Sequence, residues 1–240
     1  VAIQNSGPTL VQGARATQST IFLKILMAAS GAVFIAFVLL HMYGNLKAFN
    51  GHDAYNEYAA HLRELGTPML PHSGALWIIR AVLIISVVAH MYAAFRLWSR
   101  ARHARGGVRR YYSNKARTGV QRSYASFTLR WGGIVIVLFV IYHLLHLTWN
   151  IIHPGGPAPE PYGRVVNGFQ IWSVVLAYTI AVIAVGLHVR HGTWSALTTL
   201  GANTSSLARR RLNALAYAVA GLLTVGFLLP PFAILFGFVS

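Results

Sequence analysis

The sequence predicts an all-α integral membrane protein with five transmembrane helices in a single domain, residues 1–240. Hydrophobic residues make up 55% of the chain and charged residues only 10%, a composition that few soluble domains have. Five apolar segments reach the roughly 20 residues that a helix needs to cross a hydrocarbon core about 30 Å thick. Length and composition together therefore favour a multi-pass membrane protein.

The five predicted segments cover about residues 21–46, 75–97, 127–149, 170–189 and 212–238. The last contains Pro230 and Pro231, which predict a kink or break near its end because proline lacks the amide donor of a helix interior. After the first segment, apolar residues recur at helical spacing between Tyr55 and Gly66, which predicts a short helix in the membrane interface. The third connection, HPGGPAPEPYG, is predicted to be an irregular loop.

The charges between the segments predict the orientation of the chain. Lysine and arginine number 20 against four acidic residues, and most of the basic residues flank or fill the second and fourth connections. All four acids, Asp53, Glu57, Glu64 and Glu160, lie in the first and third connections. Because positive loops stay in the cytoplasm, we expect a cytoplasmic N-terminus and an external C-terminus. The basic residues thus follow membrane topology, and we expect no nucleic-acid partner.

Four of the apolar segments each carry a histidine at membrane depth, namely His41, His90, His143 and His188. An ionisable side chain inside the bilayer is costly and indicates a functional site. The predicted topology places His41 and His143 at an outer level, and His90 and His188 at an inner level. Two pairs, each from two helices, fit the axial positions of two bis-imidazole haems in a four-helix bundle. The competing interpretation is a buried histidine that only bonds a neighbouring side chain.

Neighbouring residues refine this interpretation. Glycines near the histidines, Gly31, Gly44 and Gly186 among them, could leave room for a haem ring. His146 and His191 each lie one turn beyond a candidate ligand, on roughly the same face of the helix. We expect them to support the site or an interface. The chain has no cysteine, which excludes thioether-linked haem and a cluster held by its own thiolates.

The histidines stand in motifs that resemble a known family. The stretches are HMYGNLKAF, AHMYAAFRL, RWGGIVIVLFVIYH and LHVRHGTWSAL. Together they resemble the cytochrome b membrane anchor of succinate dehydrogenase/fumarate reductase (respiratory complex II), in its single-subunit, five-helix, actinobacterial-like form. The resemblance covers essentially the whole chain. It implies that His41 and His143 are the axial iron ligands of an outer haem b, and that His90 and His188 are those of an inner one.

The resemblance also implies a reaction and partners. This chain would pass electrons between an iron–sulfur subunit and membrane quinone, either menaquinone or ubiquinone. Succinate oxidation, or fumarate reduction in reverse, would lie in a flavoprotein with covalent FAD, docked with the iron–sulfur subunit on the cytoplasmic face. The complex would lie in the bacterial inner (plasma) membrane against lipid headgroups, and its higher oligomeric state is left open.

Two further positions take their meaning from the resemblance. The outer sequence ELGTP, from Glu64 to Pro68, is similar to the stretch that carries a carboxylate at the family's distal quinone site. We therefore expect Glu64 to transfer protons there. Some di-haem relatives have a glutamate two residues before the inner ligand of the fourth helix, which serves transmembrane proton transfer. Gly186 stands at that position, so we do not expect that pathway.

Three alternatives stay open at this stage. The same complex could hold a Rieske-type iron–sulfur cluster in place of haem, with two histidines on one iron and thiolates from a partner chain. The chain could be the haem b subunit of another quinone-linked enzyme, such as a hydrogenase or formate dehydrogenase. It could also be a transporter whose histidines relay protons or bind a metal ion. A visible spectrum separates these classes, because a transporter would be colourless.

Overall fold

The computed structural model of the chain describes residues 19–103 and 120–240, with side chains described outside 120–130. All regular secondary structure in these residues is helical, and five helices are long and apolar enough to cross a membrane. The predicted all-α fold of a multi-pass membrane protein is therefore confirmed. Most of the basic second connection lies outside the described residues.

Seven α-helices follow one another along the described residues. They are α1 (Thr20–Leu46), α2 (His52–Glu64), α3 (Gly74–His103), α4 (Val120–His143), α5 (Pro161–Phe169), α6 (Trp172–Thr199) and α7 (Ser206–Leu235). A 3₁₀ turn, Lys47–Asn50, follows α1, and a π-helical turn, Leu144–Thr148, extends α4. The five spanning helices α1, α3, α4, α6 and α7 correspond to the five predicted segments.

Serine side chains start two of the spanning helices. The Ser19 hydroxyl accepts a hydrogen bond of 3.0 Å from the amide of Phe22 at the start of α1. Ser205 does the same for Ala208 at the start of α7, at 3.1 Å. Each cap satisfies one of the four amides that have no partner in the first turn of a helix. Helix α1 therefore begins where the apolar sequence begins, whereas α7 begins before it, with Arg209, Arg210 and Arg211 in its first turns.

Helix α6 lies at the centre of the molecule. It packs against α1, α4 and α7, while α3 packs mainly on α1. Its buried residues include Val174, Val175, Tyr178, Ala181 and Val182. The fifth spanning helix, α7, packs against both α1 and α6, so it belongs to the same bundle as the four histidine-bearing helices.

Helix α5 was not predicted, because the prolines and glycines before it indicated an irregular loop through residue 163. The structure ends that loop at Glu160 and starts the helix at Pro161, where a missing amide donor costs nothing. The buried Tyr162, Val165 and Phe169 follow at helical spacing and pack against α6 and α7. Burial of this apolar face explains why nine residues form a helix.

Of the kink or break predicted at Pro230 and Pro231, the break is wrong. Both prolines are buried inside α7, which continues to Leu235. Membrane helices tolerate proline where neighbouring helices enclose the freed backbone groups, and the end of α7 packs into the buried cluster around Tyr162 and Val175.

The predicted helix of the first connection is confirmed as α2, His52–Glu64.

Candidate functional site

The outer histidine pair joins α1 to the end of α4. The ring centroids of His41 and His143 are 5.8 Å apart, with the ring planes at 88°. Phe37 stacks on His41 at 5.3 Å, and Phe227 of α7 lies 5.9 Å from the same ring. Two imidazoles that bind one metal ion from opposite sides have centroids about 6 Å apart, since each metal–nitrogen bond is about 2 Å long. The observed separation fits such a pair.

The inner pair joins α3 to α6. The ring centroids of His90 and His188 are 6.2 Å apart, with the planes at 56°, and Phe34 meets His90 edge-on at 5.8 Å. The structure thus brings together the two pairs that the segment directions predicted. The ligand role of these four histidines stays a prediction.

Each pair bridges two helices that do not pack closely against each other. In the described residues, neither α1 with α4 nor α3 with α6 forms an extended backbone contact; α1 and α6 pack together between them. The two helices of each pair are therefore not held together by close backbone packing at the histidines. A flat macrocycle between two axial ligands needs helices that are held apart in this way.

The hydrogen bonds of His90 leave one ring nitrogen available. His90 Nδ1 lies 3.0 Å from the hydroxyl oxygen of Ser30 on α1. That hydroxyl lies 2.7 Å from the carbonyl oxygen of Leu26, to which it donates its single proton. With that proton on the Leu26 carbonyl, Ser30 accepts the Nδ1 proton of His90, and the neutral ring keeps a free lone pair on Nε2. Metal-binding histidines are commonly held in this way by the nitrogen that faces away from the metal.

His188 gives a second sign that the residues present fit a bound group. Its Nδ1 atom is buried and has no hydrogen-bond partner among the described residues. An unpaired buried polar atom costs about 1–3 kcal/mol, so a group that supplied a partner here would stabilise the ring. Together with the centroid separations, this observation is compatible with axial ligation of a haem iron by both pairs.

His146 is turned away from the outer pair. The sequence placed it on roughly the same face as His143, but the π-helical turn that begins at Leu144 changes the direction of its side chain. His146 is 1% exposed, and its Nδ1 lies 3.0 Å from the hydroxyl of Tyr178. Its Nε2 faces Gly168, where an added Cβ would lie only 2.5 Å away. His143 is therefore the member of the HxxH pair that faces His41.

The glycines have roles that the sequence did not indicate. A Cβ at Gly44 would lie 2.9 Å from the ring of Tyr58, and one at Gly186 would collide with the Thr224 hydroxyl of α7. These two positions serve contacts with neighbouring side chains and leave no space for a macrocycle. Gly31 differs, since its Cβ position lies 3.7 Å from His90. The contact at Gly186 also explains why this position could not hold a glutamate without moving α7.

Glu64 is exposed at the last residue of α2. Its backbone carbonyl accepts hydrogen bonds from the amide and hydroxyl of Thr67, at 3.0 and 2.8 Å. The guanidinium of Arg63 donates to the carbonyl of Ala59 at 3.4 Å, and no ion pair with Glu64 occurs among the described residues. An exposed carboxylate has an open route to water. Its role in quinone protonation stays a prediction.

A polar cluster around His52 lies outside the spans and was not predicted from the sequence. His52 Nδ1 lies 2.8 Å from Asp53 Oδ1, and its Nε2 lies 2.5 Å from Glu160 Oε2. Hydrogen bonds to Asp53 and then to Glu160 raise the pKa of the exposed His52 above its ordinary value. The Asn56 amide also donates to Glu160, at 3.0 Å. The cluster joins α2 to the residue before α5.

Comparison with known proteins yields no match to a family model, a curated protein or a solved structure. The functional argument therefore rests on the residues and on the geometry described above.

Proposed function

We propose that the chain is the membrane-anchor and electron-transfer subunit of a succinate:quinone oxidoreductase, in which each histidine pair holds one b-type haem. The observation that carries this proposal is the presence of two histidine pairs with centroid separations of 5.8 and 6.2 Å. A haem ring supplies four of six iron ligands, so two imidazoles complete the set. Bound haem would supply one-electron redox chemistry.

The spacing of the pairs supports transfer across the membrane. Ser30, which bonds the inner pair, and His41 of the outer pair are eleven residues apart on α1. That distance corresponds to about 16 Å at 1.5 Å per residue, roughly half of a hydrocarbon core of about 30 Å. The protein's part is to hold the imidazoles, to fix their tautomers and to surround them with Phe34 and Phe37.

The distribution of charged residues supports the placement of the partners. Arg100 Nη1 donates to Thr20 at 3.1 Å, so the basic end of α3 lies beside the start of α1. At the other end, Tyr162 donates to the Ser240 carbonyl at 3.0 Å, close to the acidic cluster around Glu160. We place the basic end in the cytoplasm, where an iron–sulfur subunit and an FAD flavoprotein would dock, in a bacterial plasma membrane with menaquinone or ubiquinone as electron acceptor.

Spectroscopy of the intact complex tests the haem proposal. Reduced protein is expected to show low-spin b-type α-bands, with about two haems per chain in a pyridine haemochrome assay. His90→Ala or His188→Ala should remove the inner haem, and His41→Ala or His143→Ala the outer one. His191→Ala is the control and should keep both.

Two outcomes would overturn the proposal in different ways. An intact complex without haem, whose iron content falls when one of the four histidines is replaced, would favour a Rieske-type cluster, in which two histidines bind one iron and a partner supplies thiolates. A colourless protein without bound iron would favour the transporter. Loss of a haem in His191→Ala would show that the wrong histidine of that pair was chosen.

A further inference from the structure

Tyr178 of α6 lies between the two histidines at the end of α4. Its hydroxyl oxygen is 3.4 Å from Nδ1 of His143 and 3.0 Å from Nδ1 of His146. The tyrosine is 5% exposed. Phe139 and Phe169 pack edge-on against its ring at centroid distances of 5.0 and 4.8 Å. The hydroxyl is therefore held in one place between two imidazoles.

Counting protons gives this chain of three side chains a direction. A tyrosine hydroxyl has one proton to donate and a lone pair to accept with, and a neutral imidazole has one donor and one acceptor nitrogen. If His143 binds a metal through Nε2, its proton lies on Nδ1 and is donated to Tyr178. The hydroxyl proton of Tyr178 then goes to Nδ1 of His146, whose own proton lies on Nε2. The two contacts at the Tyr178 hydroxyl are then complementary, whereas the buried Nε2 of His146 has no hydrogen-bond partner among the described residues.

The inner pair has the same arrangement with different residues. His90 Nδ1 donates to Ser30, and the Ser30 hydroxyl is oriented by the carbonyl of Leu26. In both pairs the hydroxyl comes from a helix other than that of the histidine it bonds, α1 for His90 and α6 for His143. The partner His188 has an unpaired buried Nδ1 in the described residues. In the inner pair, a hydroxyl therefore holds the ring of His90, whereas no hydroxyl among the described residues holds Nδ1 of His188.

Building on the haem function proposed above, we propose that Tyr178 and Ser30 are positioning residues for the two sites. Each accepts the Nδ1 proton of one axial histidine, which fixes the tautomer that presents Nε2 and makes that ring a stronger electron donor. Stronger donation stabilises the oxidised iron and lowers the reduction potential, a known effect of hydrogen bonds to axial ligands. His146 acts through Tyr178 by orienting its hydroxyl.

Redox titration of the haem α-bands in the intact complex tests this proposal. Tyr178→Phe keeps the ring and removes the hydroxyl, so it should raise the potential of the outer haem and leave that of the inner haem unchanged. Ser30→Ala should raise the inner potential alone. The bands are assigned in backgrounds that retain one haem, His188→Ala for the outer and His41→Ala for the inner. Haem content should stay at two per chain in the single variants.

Tyr142→Phe is the matched control. Tyr142 lies in the same aromatic cluster, 5.9 Å from Tyr178, and its hydroxyl bonds no histidine within the described part of the chain. It should change neither potential. Two haems with unchanged potentials in both Tyr178→Phe and Ser30→Ala would refute the positioning role while leaving the haem function intact. Absence of haem in the wild-type complex would instead refute the proposed function.

Discussion

Single hydroxyl groups inside the spanning helices mostly satisfy their own hydrogen bonds. The hydroxyls of Thr179 and Thr224 donate to carbonyls one turn back, at 2.7 and 2.8 Å, as expected where no water is available. Four buried polar atoms in the described residues have no partner, and three of them belong to His188, Arg190 and Thr193 on one stretch of α6. Unmet hydrogen bonding is therefore concentrated next to the inner histidine pair.

Glu64 is the residue whose proposed role is easiest to separate from haem binding. If its carboxylate delivers protons to quinone, Glu64→Gln should keep both haems and succinate-dependent flavin reduction. Quinone turnover should fall by about 10²–10⁴-fold, the usual loss when general acid–base help is removed. Steady-state quinone reduction by the intact complex measures the effect. Glu57→Gln, an exposed carboxylate on the same helix, should leave turnover unchanged. Normal turnover in Glu64→Gln would move the quinone site elsewhere, most simply to the cytoplasmic side.

The sequence was sufficient to predict which histidines meet, but not how they are held. Alternating helix directions place His41 beside His143 and His90 beside His188, and the structure shows these neighbours. The direction of His146 depends on a π-helical turn, which changes a side-chain direction without any residue type that marks it. In the sequence, Tyr178 is one tyrosine within an apolar segment. Its role depends on His143 and His146, which come from the end of another helix, α4.

At the scale of elements, α2 is joined to the residue before α5 by a histidine between two carboxylates. Contact with Asp53 and Glu160 raises the pKa of His52, so protonation of this ring favours the joined arrangement. The contribution of the protonated His52 to the free energy of unfolding is fully present below the ordinary histidine pKa of about 6.5. It is lost as the pH rises through the raised pKa of His52 in the folded protein. NMR of labelled histidine should show His52 titrating above 6.5, and Glu160→Gln should lower its pKa. A wild-type pKa at or below 6.5 would contradict the described cluster.

The close approach of α6 and α7 at Gly186 gives a prediction for stability. Any larger side chain there meets the Thr224 hydroxyl of α7, so Gly186→Val should destabilise the protein by about 1–3 kcal/mol, as overpacking usually does. Thermal denaturation in detergent measures this. Gly221→Val on α7 is the control, because a side chain at that exposed position meets nothing within 4 Å. Equal stability of both variants would show that α7 can move away at no cost.

The elements that sequence reasoning missed share one physical cause. Long apolar runs identify the spanning helices, since length and hydropathy alone decide whether a segment can cross a bilayer. Helix α5 and the last turns of α7 depend instead on tertiary burial: Tyr162 and Val165 of α5 pack with Ile234 of α7 in one buried cluster. Local proline signals favoured a loop and a break there, and packing between distant segments overrode them.

The whole molecule has a basic end and an acidic end. Arginines lie at the end of α3 and at the start of α7, and the start of α1 is tied to the basic end through Arg100 and Thr20. The acids Asp53 and Glu160 meet at the other end, where Tyr162 also bonds the C-terminal residue. This polarity is the basis for the proposed orientation, because positive residues are retained on the cytoplasmic side.

The absence of cysteine makes that orientation directly testable. Glu57→Cys introduces a thiol on exposed α2 at the acidic end, and Thr204→Cys introduces one in the exposed connection before α7 at the basic end. A membrane-impermeant maleimide applied to intact cells should label Glu57→Cys, whereas Thr204→Cys should react only after permeabilisation. Because the wild-type chain has no thiol, all labelling of the chain reports the introduced residue. The opposite pattern would place the basic end outside the cell, and the proposed iron–sulfur and flavoprotein subunits would then have to dock at the acidic end.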